Sequence, residues 1–314
     1  MSRLAERATL VGYRAGWTVV RRMPPRFAYR TFDLIADFAW TRHGKGVERM
    51  RSNYGIVRPE LNPAELDRLV RAGMRSYLRY WCDSFRLPDC SVDDLIAGVR
   101  VVGVEPVRAA LQSGRSAVIF LGHMGNWDFA GAWSTTQLAP VTTVAERLKP
   151  EELFDEFVEF REGLGMRIIA LTGGTDVFRD LIQACRAGAL VALLADRDLT
   201  NGGIEVDFFG ERARMAVGPA ALALNTGAAL YPATVHYEPK PQGHGWRTVV
   251  TFHDAVAPPT QGTSREKIQT MTQTCADVLA EAVRERTQDW HMMQRVFTKD
   301  LVAERATDGA GDIR

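Results

Sequence analysis

The 314-residue sequence lacks the features that mark several protein classes. Its four cysteines form no CxxC pair and no metal-ligand spacing, which predicts free thiols in a reducing compartment. No apolar run approaches the roughly 20 residues that a helix needs to cross a bilayer. The N-terminal residues show neither the apolar stretch nor the cleavage site of a secretory signal. These absences predict a cytoplasmic protein whose membrane contact is peripheral.

Three kinds of functional motif are also missing. No two of the six histidines have a metal-ligand spacing, so we expect no metal cofactor. The sequence contains no helix-turn-helix pattern, zinc-finger pattern or aromatic RNA-binding platform, so we expect no nucleic-acid partner. The Gly-x-Ser-x-Gly elbow of serine hydrolases is absent too, which argues against a covalent acyl-serine intermediate.

Charge is concentrated at the N-terminus, although the whole chain carries a net charge of only +1. The first fifty residues hold ten Lys or Arg against four acids. Residues 4–22 and 27–40 have helical apolar spacing with interleaved arginines. Such helices are typical either of docking on an anionic membrane or of ordinary surface helices that cover the core, and the pattern leaves both open.

The rest of the chain predicts an α/β fold. Short apolar runs alternate with helical patterns from residue 116 to residue 252, which favours a mostly parallel central sheet flanked by helices on both faces. A strong helix is predicted over 63–87 and a last one over 264–286. We therefore expect a single domain with N-terminal amphipathic helices. Its parts are the membrane-associating helices 1–42, the catalytic core 43–300 and a frayed tail 301–314.

The most informative segment is VIFLGHMGNWDFAGAW, residues 118–133. A buried strand over 116–121 is followed by Gly122 and then by His123. This position is the carboxyl edge of the sheet, where ligands bind in open α/β folds. If the segment bends into a helical turn, the carboxylate of Asp128 reaches the imidazole and leaves its other nitrogen free to act as a general base. A histidine and an aspartate five residues apart also occur often by chance.

This segment resembles the His-x4-Asp motif of the glycerolipid acyltransferase superfamily. The chain is more closely similar to the lipid A biosynthesis acyltransferase group, and within it to the phosphatidylinositol mannoside acyltransferases. The resemblance spans nearly the whole chain, in order. The matching stretches are SYLRYWCDSFRLP at 76–88, GHMGNWDFAGAW at 122–133, TVAERLKPEELFDEFVEFREGLGM at 143–166, LTGG at 171–174, ADRDLTNGGIEVDFFGERARMAVGPAALAL at 195–224, TGAALYP at 226–232 and DWHMMQ at 289–294.

The resemblance implies an acyltransferase that needs no cofactor and uses acyl-CoA as co-substrate. It implies transfer of a long acyl chain, with palmitoyl expected, to a mannose hydroxyl of a phosphatidylinositol mannoside at the cytoplasmic membrane face. His123 would be the base and Asp128 its orienter. Asp196 stands where relatives often carry a Glu that helps to hold the acceptor sugar, although Asp196 is also consistent with a structural ion-pair cluster. The family counterpart of Glu146 lies in the active-site groove.

Further residues are candidates for contacts with the substrates. The candidates for phosphate or headgroup binding are Arg161, Arg147 and Lys149, and Arg197 and Asp198 are further candidates for substrate binding. The candidates for the wall of an acyl-chain pocket are Trp127, Phe129, Trp133 and Phe208. The same charged residues are also typical of a solvated helix face or a structural ion pair, and the same aromatic residues of an ordinary core.

Three other functions remain open at this stage. Water in place of the sugar would make the protein an acyl-CoA thioesterase. An acyltransferase of the same kind could act on another glycolipid or glycerolipid acceptor. A membrane-binding protein without catalysis would keep the fold and would not need His123 or Asp128.

Overall fold

The computed structural model describes residues 16–147, 151–171, 177–198, 202–241 and 245–300. The candidate Lys149, residues 4–15 of the predicted helix 4–22 and the tail 301–314 lie outside the described residues. Residues 16–22 are helical. The helices that follow are α1 Pro25–Thr41, α2 Lys45–Val57, α3 Pro63–Arg86, α4 Val92–Gly98, α5 Glu105–Gln112, α6 Trp127–Gln137, α7 Glu151–Gly163, α8 Val177–Arg186, α9 Gly218–Thr226 and α10 Ser264–Glu285.

The strands confirm the predicted α/β fold. They are β1 Val99–Val102, β2 Ala117–Leu121, β3 Val141–Ala145, β4 Arg167–Ala170, β5 Leu190–Leu194, β6 Ile204–Phe208, β7 Glu211–Met215, β8 Ala229–Pro239 and β9 Trp246–Phe252. Seven of them form one sheet in the order β1-β9-β8-β2-β5-β3-β4. β8, β2, β5, β3 and β4 are parallel to one another. β9 pairs antiparallel with β8, and β1 pairs parallel with β9, so these two strands run opposite to the other five.

The order of the strands determines where the site lies. β2, β5 and β3 are neighbours at the centre of the sheet and run in the same direction. Their carboxyl ends therefore meet at one edge, and the residues that follow them, His123, Asp196 and Glu146, come together there. β2 and β5 are buried almost throughout, as expected of parallel strands covered on both faces.

The N-terminal helices pack on α3. Ala28, Phe32 and Ala36 of α1 are buried, and the cluster around Phe32 includes Cys82 and Phe85 from α3. Asp37 accepts hydrogen bonds from Arg71 and Arg75 at 2.6–2.8 Å, and these bonds hold the pKa of its carboxyl far below the usual value.

Within the described part of the chain, no helix is both long enough and apolar enough to span a bilayer.

Candidate active site

A cavity of about 370 Å³ opens at the carboxyl edge of β2, β5 and β3. This volume falls within the range of small-molecule sites. Its lining is mostly apolar, with a smaller set of polar and charged side chains. The apolar lining includes Leu121, Ala130, Gly131, Val141, Met166, Leu190, Ala192, Val250 and Phe252, and the polar lining includes His123, Asp128, Glu146, Arg161, Arg197 and His291. The cavity therefore suits a long apolar group with a polar head.

The loop that carries His123 is held in a tight, non-helical course. A Cβ on Gly122 would lie 2.8 Å from Cδ1 of Leu279 and 3.3 Å from Asp196 Oδ2, so a side chain there would displace Leu279 and crowd the Asp196 carboxylate. Gly125 has a φ of +59°, and a Cβ at this position would lie 2.6 Å from the carbonyl oxygen of Val235. The helix α6 begins only after Asn126, whose side chain accepts a hydrogen bond from Phe129 N.

His123 is paired with Asp196. Asp196 Oδ1 lies 2.6 Å from His123 Nδ1, and Asp196 Oδ2 accepts a 2.8 Å hydrogen bond from the main-chain N–H of His123. Burial alone would raise the pKa of the Asp196 carboxyl, but His123 and the hydrogen bonds that Asp196 accepts outweigh it and lower that pKa. An ionised carboxylate only accepts, so Nδ1 carries a proton, and in the neutral tautomer the lone pair is on Nε2. Among the described residues, none makes a hydrogen bond to Nε2.

The expectation that Asp128 orients His123 is corrected by this geometry. The loop 122–125 is not helical, so Asp128, in the first turn of α6, does not reach the imidazole. Its carboxylate instead accepts hydrogen bonds from Arg161 at 2.7 and 3.2 Å and from the hydroxyl of Tyr80 at 2.7 Å. Burial disfavours the Arg161 cation, but the charge of Asp128 outweighs this and raises the pKa of Arg161. Asp128 thus anchors a buried network beside the cavity.

Two predicted residues meet at the polar mouth of the cavity. Glu146, just past β3, lies with Oε2 3.4 Å from Nη2 of Arg197. Arg197 also donates to the side chain of Gln294. All three residues line the cavity, and half of Glu146 is exposed, at 47% of its side chain. A charged rim of this kind can bind the polar part of a substrate.

Other predicted binding residues lie elsewhere. Arg147 pairs with Glu151 at 2.8 Å on an exposed helix start and does not contribute to the cavity lining. Asp198 accepts a hydrogen bond from Gly203 N at 2.8 Å, which closes a turn, and is likewise not in the lining.

The predicted acyl-chain wall is corrected in three of its four residues. Trp127 lines the cavity, and its ring lies 5.6 Å from that of His123. Phe129 and Trp133 are on the other face of α6, where the Phe129 ring packs on Gly98. Phe208 is in the core against Trp290, with ring centroids 5.9 Å apart. Small and aliphatic side chains, together with other aromatic residues (Trp81, Phe154, Phe157 and Phe252), line the cavity in their place.

The chain brings further residues to the site from a distance, and of these the sequence had singled out only His291, as a residue that either closes the site or packs in the core. Trp290 donates from its indole Nε1 to Asp196 Oδ2 at 2.9 Å. The Ser76 hydroxyl donates to Asp289 at 2.6 Å and so accepts from Nε2 of His291 at 3.0 Å. Burial lowers the pKa of His291 to about 3, so its ring is neutral. These residues belong to the stretches 76–88 and 289–294, but neither stretch has a local pattern that indicates which side chain faces the site.

The whole chain places this site in an enzyme family. The model of the bacterial lipid A biosynthesis acyltransferase family matches residues 2–299. The chain therefore belongs to this family of acyltransferases. Two relatives cover almost the same length. A phosphatidylinositol mannoside acyltransferase of Mycolicibacterium smegmatis is 42% identical over 96% of this chain and 95% of its own. One of Mycobacterium tuberculosis is 41% identical over 97% of this chain and 93% of its own.

Proposed function

We propose that this protein transfers a long acyl chain, with palmitoyl expected, from acyl-CoA to a mannose hydroxyl of a phosphatidylinositol mannoside. We place the reaction at the cytoplasmic face of the membrane. The observation that carries the proposal is the His123–Asp196 pair at the mouth of an apolar cavity, with Nε2 of His123 free of protein partners among the described residues. The similarity to the two mycobacterial enzymes supports the acceptor.

The chemistry follows from the tautomer of His123. Nε2 takes the proton of the mannose hydroxyl as its oxygen attacks the thioester carbonyl carbon. Asp196 stabilises the imidazolium that forms. The tetrahedral oxyanion then collapses, the C–S bond breaks and the imidazolium returns its proton to the sulfur of coenzyme A. The products are the ester and free coenzyme A, and no acyl-enzyme is needed.

Different parts of the cavity suit the acyl donor and the sugar acceptor. Its apolar part takes the acyl chain, and its rim, with Glu146 and Arg197, takes the sugar hydroxyls. Burial of the chain contributes about 0.8 kcal/mol for each methylene group. Asp128 is bound by both Arg161 and Tyr80, so we assign this buried network the role of holding the wall of the cavity in place.

A transfer assay tests the proposal directly. The protein is incubated with radiolabelled palmitoyl-CoA and phosphatidylinositol mannoside in anionic vesicles. We expect the label to move to the glycolipid and coenzyme A to be released only when the mannoside is present. Release at the same rate without the mannoside would identify a thioesterase instead. Label on a lipid A-like or glycerol acceptor but not on the mannoside would overturn the proposed acceptor.

The membrane contact is assigned to the outer face of α1. Phe27, Leu34 and Phe38 follow one another at helical spacing and are 61%, 71% and 66% exposed. Arg26 and Arg30 are exposed beside them. Their opposite face is already buried against α3, so the helix has apolar groups on both sides. This combination of apolar and basic groups suits insertion at an anionic interface.

We expect the triple substitution Phe27→Ser, Leu34→Ser and Phe38→Ser to weaken binding to anionic vesicles by at least about tenfold, because each large side chain contributes up to about 2 kcal/mol on burial. Liposome flotation at low and high salt measures it. The matched control is Val92→Ser with Ile96→Ser, which removes apolar groups of similar exposure from α4. Equal flotation of the triple variant and the wild type would contradict the assignment.

The depth of the acyl cavity is set in part by Gly131. A Cβ there would lie 2.7 Å from Cε of Met166, the mobile end of a side chain, so Gly131→Val can be accommodated but takes volume from the cavity. We expect kcat/KM for palmitoyl-CoA to fall about tenfold or more, since the loss of two methylene contacts has this size, while octanoyl-CoA is little affected. Gly163→Val, in open space outside the cavity, is the control. An unchanged ratio of the two donors would argue against this path for the chain.

A further inference from the structure

The segment 289–291 lies along the His123 loop like a short antiparallel strand. Met124 and Trp290 form a bridge, Gly125 N donates to Asp289 O at 2.8 Å, and His291 N donates to His123 O at 2.7 Å. The catalytic loop is thus held by main-chain bonds from residues more than 160 positions away in the sequence. The course of this segment therefore affects the position of His123.

The side chain of Trp290 reaches the other member of the pair. Its indole N–H donates to Asp196 Oδ2 at 2.9 Å, and the same oxygen accepts from His123 N. Oδ1 is left for Nδ1 of His123. Asp196 and Trp290 are both 0% exposed, so no water competes for these bonds. The two donors on Oδ2 fix the plane of the carboxylate.

Trp290 is itself held from several sides. Its ring packs edge-on against Phe208. The hydroxyl of Tyr54 donates to its carbonyl oxygen at 2.8 Å, and Asn53 donates to the carbonyl oxygens of Met292 and Gln294 at 3.0 and 2.8 Å. Side chains of α2 thus hold the segment at the bridge and on its C-terminal side. Together with the packing of the ring against Phe208, these contacts keep the indole from following a carboxylate that rotates.

We propose that Trp290 is a positioning residue for the His123–Asp196 pair, an inference that rests on the proposed function. The indole N–H selects the carboxylate rotamer in which Oδ1 faces Nδ1, and so keeps Nε2 directed at the substrate. Without it, Oδ2 retains only the main-chain donor and the carboxylate can rotate. The imidazole then loses its fixed orientation, which lowers the rate of proton transfer more than the binding of substrates.

Trp290→Phe tests the proposal because it keeps an aromatic ring and removes the N–H. We expect kcat to fall by about 10- to 100-fold, in line with misplacement of a catalytic group, while KM for palmitoyl-CoA changes by less than about threefold. An unchanged kcat per folded enzyme, with only a lower Tm, would overturn the proposal.

Tyr54→Phe is the matched control. It also removes one buried hydrogen bond to residue 290, but it leaves the indole–carboxylate contact in place. We expect a comparable loss of Tm and a kcat within about threefold of the wild type, the size of a purely structural effect. An equal fall of kcat in both variants would show that the indole N–H has no special role.

A double-mutant cycle separates this inference from the proposed function. If Trp290 acts through Asp196, Trp290→Phe lowers kcat no further in the Asp196→Asn background, whereas independent effects multiply. If Trp290→Phe has a normal kcat and Asp196→Asn has a lowered kcat, the role of Trp290 is overturned but the proposed mechanism is not. A normal kcat for both overturns the proposed mechanism as well.

One measurement needs no variant at Trp290, whose ring is fully buried. In protein labelled with ¹⁵N at the indoles of its seven tryptophans, the N–H bound to a carboxylate should resonate downfield of the others. Asp196→Asn should remove this displacement from that one signal. If no indole signal responds in this way, the contact does not exist in solution and the proposal fails.

Discussion

Asp196→Asn is expected to lower kcat for acyl transfer by about 10²- to 10⁴-fold, the range over which a base and its oriented tautomer contribute. The amide that replaces the carboxylate oxygen at Nδ1 donates instead of accepting. His123 then carries its proton on Nε2 and cannot take one from the mannose hydroxyl. Steady-state transfer of labelled palmitate to the mannoside measures this effect, and Tm shows whether the variant is folded.

Asp198→Asn is the matched control for that substitution. Asp198 lies two residues further along the chain, outside the cavity lining, and Asn can still accept the hydrogen bond from Gly203. We expect its kcat to stay within about threefold of the wild type, because the variant keeps that hydrogen bond. If the two variants lost activity equally, a disturbance of the segment 196–198 would explain the result better than a change in the tautomer of His123.

Arg161→Met is expected to lower the free energy of unfolding by about 3–5 kcal/mol, because it removes the cation from a buried ion pair and leaves Asp128 uncompensated. Asp128 is only 3% exposed and retains just the Tyr80 hydroxyl among the partners described here. Urea unfolding followed by circular dichroism measures the change. The double variant Arg161→Met with Asp128→Asn should recover part of the loss, since Asn carries no charge but still accepts from Tyr80.

Arg100→Met serves as the control for this stability effect. Arg100 makes a similar two-bond contact with Glu238, but its side chain is 40% exposed and Arg247 also pairs with Glu238. We expect a loss of about 1 kcal/mol or less. A loss at Arg161 no larger than that at Arg100 would show that the buried pair contributes little.

The fold was accessible from the sequence where local patterns determine it. The buried strand predicted over 116–121 is observed at 117–121, because a strand that is buried on both faces appears in the sequence as a short apolar run. β7 was missed because its sequence, ERARM, alternates charged and apolar residues in a two-stranded hairpin outside the main sheet. The helices α2 and α4 were missed as well. The order of the strands depends on pairing between distant segments, which no local pattern contains.

The sequence predicted several residues of the site, but it did not predict which carboxylate pairs with His123. His123 and Asp196 were both recognised at strand ends, yet closeness in sequence favoured Asp128 as the partner. The correct pairing follows only from β2 and β5 being neighbours in the sheet. The residues of the acyl-chain wall were predicted from their aromatic side chains. Which residues line the cavity depends instead on the face of the helix on which each one lies. Positions 127, 130, 131 and 134 of α6 share the face that lines the cavity, and Phe129 and Trp133 do not.

The central claim is that His123 is the base of an acyl transfer from acyl-CoA to a phosphatidylinositol mannoside. The most direct test measures this transfer by His123→Ala, with palmitoyl-CoA as donor, at protein concentrations matched for folded enzyme. The predicted result is a kcat about 10²- to 10⁴-fold below the wild type with nearly unchanged binding of palmitoyl-CoA. Full transfer activity in His123→Ala would contradict the account.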